Sequence, residues 1–276
     1  MHLQKKNKKH SANAQHKSLS IQFNLDGFSF SIQNSDTGEI LVFTEYTFEK
    51  TIASPELLLE KIMYIFANDK DLQQDFSTVF AIHQNNLATL VPNEYFDRNN
   101  LKPYLKFTVK TLSTDFITYD TLNTVDASNV YIPYVNINNF IFQNFGEFEY
   151  QHHATVLINK LLANTTHTNE LPVMYVHVGI SQLDIIVIQK KELILYNSFV
   201  YQTKEDFIYY ILFVAEQLQM NPEEFPLVFL GKIDKESDLY TITYKYIRTI
   251  NFIESSTRFF NKDDEFSNHS TYILLS

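Results

Sequence analysis

The sequence predicts an α/β protein with mixed sheets, built from two copies of a β-β-β-α-β unit. Three observations carry that prediction. The apolar rhythm Ile21, Phe23, Leu25, Phe28, Phe30, Ile32 returns without a gap as Val176, Val178, Ile180, Leu183, Ile185, Val187, 155 residues later. Glu39-Ile-Leu-Val-Phe returns as Glu192-Leu-Ile-Leu-Tyr, 153 residues later. Ser54-Pro-Glu and Thr203-Lys-Glu-Asp each open a helical pattern, 149 residues apart, and at that same shift Val79-Phe80 meets Val228-Phe229. Solenoid repeats have periods of roughly 20–50 residues, so a unit this long reads as a duplicated domain.

The elements follow in order. Leu19 to Asn34 reads as a β-hairpin, with apolar alternation stopping at Leu25 and restarting at Phe28. The Asp26-Gly27 pair between them predicts a two-residue type I′ turn, whose twist matches that of the strands. Glu39 to Thr47 reads as a third strand, entered through Asp36-Thr37-Gly38. Ser54 is a suitable N-cap with Pro55 at the first helical position. Leu58, Ile62, Ile65 and Phe66 then line one helical face. Thr78 to Ile82 is a short buried strand.

The second copy repeats this. Met174 to Ile180, Leu183 to Gln189 and Glu192 to Phe199 are its first three strands. Thr203 and Asp206 form a capping box with Asp in place of Glu. The helix from Phe207 to Gln219 is apolar on nearly every side in its first two turns, which predicts burial all round. Leu227 to Leu230 closes the unit. Between the copies, Val130 to Ile132 and Phe148 to Gln151 read as strands. Asn138 to Phe145 reads as a short helix ending near Gly146, and Ala154 to Ala163 as another helix. Asn164 to Glu170 is the linker candidate. Asp238 to Ile250 reads as helical, a strand starts at Asn251 to Glu254, and Asn261 to Ser270 is a polar loop. The division expected is a disordered basic arm at 1–17, a first domain at 18–165 and a second at 166–276.

Composition narrows the function classes. At 276 residues and 45% hydrophobic content, each half can bury its own core. The absence of Cys removes disulfides, thiol nucleophiles and Cys-based zinc sites together, and suits a reducing cytoplasm. The N-terminus has lysines but no apolar signal-peptide core. The longest apolar run, Phe207 to Ala215, is about half the length of a membrane span. Residues 1–17 hold five lysines and no acid; the rest has 17 basic against 32 acidic residues, or −15. That body repels phosphate backbones, so nucleic acid is not an expected partner except through the basic arm.

Three antiparallel strands, a helix and a fourth strand, twice in one chain, resemble the topology of the actin-like ATPase superfamily. Its members are built from ribonuclease H-like domains. The resemblance covers 19–82 and 174–231. The pieces SIQFNLDGFSFSI, FGEFEYQHHATVLINKLL and NPEEFPLVFLGKI are also similar to an uncharacterised bacterial family carried as a domain of unknown function. The resemblance implies two ribonuclease H-like domains arranged as in actin-like ATPases. Bacterial relatives that it implies include cell-division, pilus-assembly and secretion components, some of which act mainly by binding partners.

The resemblance also says where nucleotide chemistry would sit. Each first hairpin turn of the superfamily is a phosphate loop led by an acid, with glycines and hydroxyls behind it. Close approach of backbone N–H groups to phosphate requires missing side chains. At the first loop, Asp26 and Gly27 match in type, but no second glycine and no Lys accompany them. At the second, the leading acid is absent; His177 sits nearby, with Gly179 and Ser181 retained and Asp184 falling in the returning strand. Where the superfamily has paired glycines after the second domain's fourth strand, this chain offers Gly231 alone. Asp26, Gly27, His177, Gly179, Ser181 and Gly231 are therefore the candidate cleft residues, each with a turn or strand-end role as its bland alternative.

Other chemistries fare worse. The five glycines allow neither a dinucleotide fingerprint nor a P-loop. A two-metal nuclease needs converging carboxylates, and nothing near Glu60 or Asp115 completes a set with Asp26. His152 and His153 are expected to assist a helix N-terminus or face solvent, and His83 to end a strand; no metal is expected. No nucleophile elbow and no catalytic set can be written. Of the aromatics on the third strands, Tyr46, Phe48, Tyr196, Phe199 and Tyr201, most are assigned to the core, with Tyr201 or Tyr46 the first choices for a partner patch. The expected function is a non-catalytic actin-like binding or scaffold protein with no cofactor and another protein as partner. The rival is a divergent ATP-binding protein using the inter-domain cleft. A homodimer is allowed, because third strands in this topology are often open sheet edges.

Overall fold

Residues 3–9, 14–164, 170–254, 259 and 269–275 are described by a computed structural model. The chain divides into two units. The first comprises residues up to Thr121, with Ala127–Val156 and Leu275; the second comprises Leu122–Asp126 and Leu157–Leu274. The expected linker and the expected polar loop at Asn261–Ser270 lie largely outside the described residues.

The first unit runs β1 (Leu3–Lys9), β2 (Lys17–Asn24), β3 (Gly27–Asn34), β4 (Ile40–Phe48), α1 (Pro55–Asn68) and β5 (Thr78–His83). It continues through β6 (Ala88–Pro92), α2 (Lys102–Leu105), β7 (Thr118–Thr121), β8 (Ala127–Tyr131), α3 (Val135–Phe145) and β9 (Glu149–His152) into α4 (His153–Asn164). Its main sheet has the order β1-β4-β3-β2-β5-β9. β2, β3 and β4 are antiparallel neighbours, while β5 runs parallel to β2 and β9 parallel to β5. Alternation puts Ile21, Phe23, Phe28 and Phe30 on the face that meets α1 and α3. Leu58, Ile62, Ile65 and Phe66 of α1 and Ile137 and Ile141 of α3 complete that core. Ser54 caps α1 by accepting the Leu57 N–H. Between β5 and α3 lies a smaller sheet, β6-β8-β7, with its own core around Leu105, Val130 and Ile132.

The second unit runs β10 (Val173–Val178), β11 (Gln182–Gln189), β12 (Glu192–Val200), α5 (Lys204–Gln217), β13 (Pro226–Gly231), α6 (Asp238–Tyr244), β14 (Thr249–Phe252) and α7 (Tyr272–Leu275). Its sheet order, β12-β11-β10-β13-β14, is that of the first sheet without β1. The directions agree too, with β10 to β12 antiparallel and β13 and β14 parallel to β10. Both sheets are irregular at the same place. Val187 pairs Leu195 while Ile188 pairs Leu193, leaving Ile194 as an extra residue. Ile32 pairs Val42 while Gln33 pairs Ile40, leaving Leu41 extra. Leu41 and Ile194 are 153 residues apart, the shift of the sequence repeat at this strand.

Several expectations change. Leu3–Lys9, expected in a disordered arm, forms a strand antiparallel to β4, and Lys5 Nζ donates to Asp69 at 2.8 Å. A −15 body supplies the acid that a lysine-rich segment can pair with. The first hairpin closes on Asn24↔Gly27, so Leu25-Asp26 is the loop, and neither Asp26 nor Gly27 has positive φ. The type I′ turn lies instead at Lys190-Lys191, with φ of 51° and 66°. α5 is not buried all round: Phe207, Ile211 and Val214 are, whereas Tyr209 is 60% exposed and Phe213 40%. Tyr46 and Tyr201, the first choices for a surface patch, are buried. β4 is not an open edge, because β1 covers it. The helices expected at Asn138–Phe145 and from Asp238, and the strands expected at Phe148–Gln151 and Asn251–Glu254, extend each β-β-β-α-β unit by a helix and a fifth strand in matching places.

Candidate functional site

Asp26 and Gly27 lie in the β2–β3 turn of the first unit. The turn consumes its own polar groups. The Asp26 N–H donates to Asn24 Oδ1 at 2.8 Å, and its carbonyl accepts the Phe48 N–H at 3.0 Å. Its carboxylate accepts from Thr51 Oγ1 at 2.6 Å, and the Leu25 carbonyl accepts the Ile52 N–H at 2.7 Å. A Cβ on Gly27 would stand 2.7 Å from the Tyr46 carbonyl oxygen, so this glycine admits β4. The segment after β4 is thus tied onto the turn, and the Asp26 N–H, a donor that a phosphate would use, is engaged within the chain.

The structure brings His177, Gly179, Ser181 and Gly231 to one place in the second unit, where β10 and β13 end side by side with Val178 opposite Gly231. The β10–β11 turn is tight. The Gly179 N–H donates to the Gln182 carbonyl at 2.8 Å, the Tyr201 hydroxyl donates to the Gly179 carbonyl at 2.7 Å, and the Ser181 carbonyl accepts the Tyr201 N–H at 3.0 Å. Gly231 has φ 89°, and a Cβ there would lie 2.3 Å from the Val178 carbonyl oxygen. Its N–H donates to the His269 carbonyl at 2.8 Å, and the Lys232 N–H donates to the Val178 carbonyl at 2.6 Å. His269 also bonds the Ile233 carbonyl through Nε2 at 2.7 Å. The single glycine is explained by close approach of backbone to backbone, with His269 seated on its amide.

The most developed polar cluster there was only half visible in the sequence. His177 Nδ1 donates to Asp184 Oδ2 at 2.9 Å, with both side chains buried. Asp184 Oδ1 also accepts from the Tyr196 hydroxyl at 3.2 Å and from Gln182 Nε2 at 3.3 Å, and Gln182 reaches Ser198 at 2.8 Å. Burial first, then the Asp184 charge, pushes the Tyr196 hydroxyl well above its usual range. The sequence signal for the His–Asp pair is hairpin register: Val176↔Ile185 places His177 opposite Asp184. A histidine held by a carboxylate is the orienting half of a triad; a nucleophile bonded to its other ring nitrogen would be needed to complete one.

His83, His152 and His153 have structural roles in the first unit. His83 Nδ1 accepts the Tyr134 N–H at 3.1 Å, so Nε2 carries the proton and donates to Asn138 Oδ1 at 2.8 Å. Burial lowers its pKa to about 3, against the opposing pull of Asn138. His152 and His153 are fully buried and do not face solvent. His152 accepts the Ala154 N–H at 3.3 Å, which is the expected helix-start role, and its Nε2 lies 3.0 Å from the Asn85 carbonyl. Asp120, which sequence reading passed over, receives the His152 N–H and the Thr155 and Tyr131 hydroxyls, and burial raises its pKa. Among the described residues no group of three or more His, Asp or Glu side chains is placed to hold a metal ion. Nor is any helix among them long and apolar enough to cross a membrane.

Comparison with solved structures places this fold. A Bacteroides thetaiotaomicron protein with actin-like ATPase fold and unknown function superposes with a TM-score of 0.78 at 22% identity, over 87% of this chain and 91% of that one. The PilM–PilN type IV pilus biogenesis complex matches with a TM-score of 0.55 at 10% identity, over 86% and 88%. The ethanolamine utilization protein EutJ from Carboxydothermus hydrogenoformans matches with 0.50 at 6% identity, over 97% and 90%. At these identities the likeness is one of fold, the actin-like fold of ribonuclease H-like domains. No curated protein matches. A family model described as protein of unknown function DUF3822 matches residues 6–250, and the chain belongs to that family.

Proposed function

We propose that this protein works by binding another protein, with nucleotide-binding loops that have lost their chemistry. The observation that carries the reading is the closure of the loops. The Asp26, Gly179 and Gly231 amides all bond within the chain, and the carbonyls beside them accept from Phe48, Tyr201 and Lys232. A phosphate site needs convergent free N–H groups. An actin-like fold serving a protein assembly has a precedent in the pilus biogenesis complex named above.

The test is thermal unfolding of the full chain with and without Mg-ATP. A ligand at a hundred times its dissociation constant adds about 2.7 kcal/mol. The proposal expects no rise in Tm at millimolar nucleotide. A clear rise would replace it with the rival reading, a divergent ATP-binding protein.

A further inference from the structure

The two third strands, β4 and β12, have the same bulge and different fates. β1 pairs with β4 from Val42 to Phe48, the regular stretch beyond the bulge at Leu41. The matching stretch of the second unit, 153 residues on, is Leu195 to Tyr201. Among the described residues no strand lies beyond β12. Burial records the difference: Val42, Phe43, Thr44 and Tyr46 are buried, whereas their counterparts Leu195, Tyr196 and Phe199 are half-buried and Asn197 is exposed; only Tyr201 is buried like its counterpart Phe48.

After its bulge β12 is lightly protected: Asn197 Oδ1 accepts the Ser198 N–H at 2.9 Å, a bond that pairing with another strand can replace. From Leu193 to Tyr201 it contains no charge and no Pro. On the helix side, Phe199 stacks on Tyr210 at 4.5 Å, and Tyr209 stacks on Phe213 at 6.0 Å, with Tyr209 and Phe213 both exposed. A basic strand like β1 would not be held here. The acid that anchors Lys5 is Asp69, at the end of α1; its counterpart in the repeat is Leu218.

We propose that β12 pairs antiparallel with β12 of a second copy of this chain, about a two-fold axis at Asn197. The sequence Leu193-Ile-Leu-Tyr-Asn-Ser-Phe-Val-Tyr201 is self-complementary about that residue. Leu195 meets Phe199, Ile194 meets Val200, Tyr196 meets Ser198, and Asn197 meets itself. Apolar pairs flank a polar centre, and no like charges face each other. A two-fold contact of this kind repeats each pair, as isologous dimers require. The pairing gives the second sheet the edge cover that β1 gives the first. It names one partner for the binding role proposed above, but it does not depend on nucleotide, so the two tests fail separately.

The net charge of −10 makes a specific demand. The two copies repel at long range, and that repulsion is screened by salt while the uncharged edge is not. Sedimentation equilibrium of the full chain from about 1 to 100 µM should show a monomer–dimer equilibrium that shifts toward dimer between about 0.05 and 0.5 M salt. Asn197→Lys places like charges opposite each other at the axis and should abolish the dimer; because Asn197 Oδ1 accepts the Ser198 N–H at 2.9 Å, urea denaturation of the variant checks that its monomer still folds. Hydrogen exchange should show the β12 amides that face away from β11 protected at high and exposed at low protein concentration, while those bonded to β11 stay protected throughout. A monomer throughout, or a dimer indifferent to Asn197→Lys, overturns the proposal. So does concentration-independent protection of the outward-facing amides.

Discussion

Gly231 shows how a residue that reads as a ligand contact can be a packing necessity. Its φ of 89°, and the 2.3 Å that would separate a Cβ from the Val178 oxygen, leave no room for a side chain. Left-handed backbone alone costs a non-glycine residue about 1–2 kcal/mol, and here a backbone clash is added. Gly231→Ala should lower stability by about 3 kcal/mol or more in urea denaturation; a loss below about 1 kcal/mol would contradict the geometry. His83 offers a second residue-scale test. Its folded pKa of about 3 lies below its unfolded value near 6.5, so the unfolded chain binds the extra proton between those limits. Its contribution is complete above about pH 6.5 and is lost as pH falls toward 3. His83→Gln can still donate to Asn138 and accept from Tyr134, and should flatten the loss of stability between about pH 6 and 4. The sequence placed His83 at a strand end correctly; its tautomer follows only from Tyr134 and Asn138, which are distant in sequence.

Among the elements, α1 and α5 were legible because their caps and stripes are local, whereas the helix expected over Asp238–Ile250 stops at Tyr244 and gives way to β14. Ser54 and Pro55 start α1, and Thr203 with Asp206 forms the full capping box at α5, including the return bond from the Thr203 N–H to Asp206. Thr203→Ala should cost about 1 kcal/mol by chemical denaturation. The hairpin turns were less legible. Asp26-Gly27 has turn chemistry, but the chain uses Gly27 to let β4 approach, and packing shifts the turn by one residue. Lys190-Lys191 lacks turn chemistry, yet adopts the left-handed pair that strand twist demands. Lys191→Gly should therefore raise stability by about 0.5–1 kcal/mol, since relief of left-handed backbone exceeds the entropic cost of glycine. No change, or a loss, would mean that the lysines are not strained.

Across the molecule as a whole, α7 is held by groups from far away in the chain. Lys160 of α4 donates to the Ile273 carbonyl at 2.7 Å, and Asn164 donates to the Tyr272 hydroxyl at 3.0 Å. Burial lowers the Lys160 pKa to about 8, below its unfolded value near 10.4. In that interval the unfolded chain holds the proton and the folded one does not, so stability should rise with pH from about 8 to 10. Lys160→Met should remove that slope in pH-dependent denaturation; a slope that persists would assign it to another group. The repeat, the order of its elements and the lack of glycine-rich loops follow from the residues in line. They are readable because apolar period, caps and glycine spacing act within a few residues. Folding in three dimensions was needed to make Leu3–Lys9 a strand, to bring His177 to Asp184, to seat His269 on Gly231 and to leave β12, among the described residues, the outer strand of its sheet. Each of these depends on which distant segment reaches a backbone edge or a buried charge first, and that competition is settled by packing, not by local pattern.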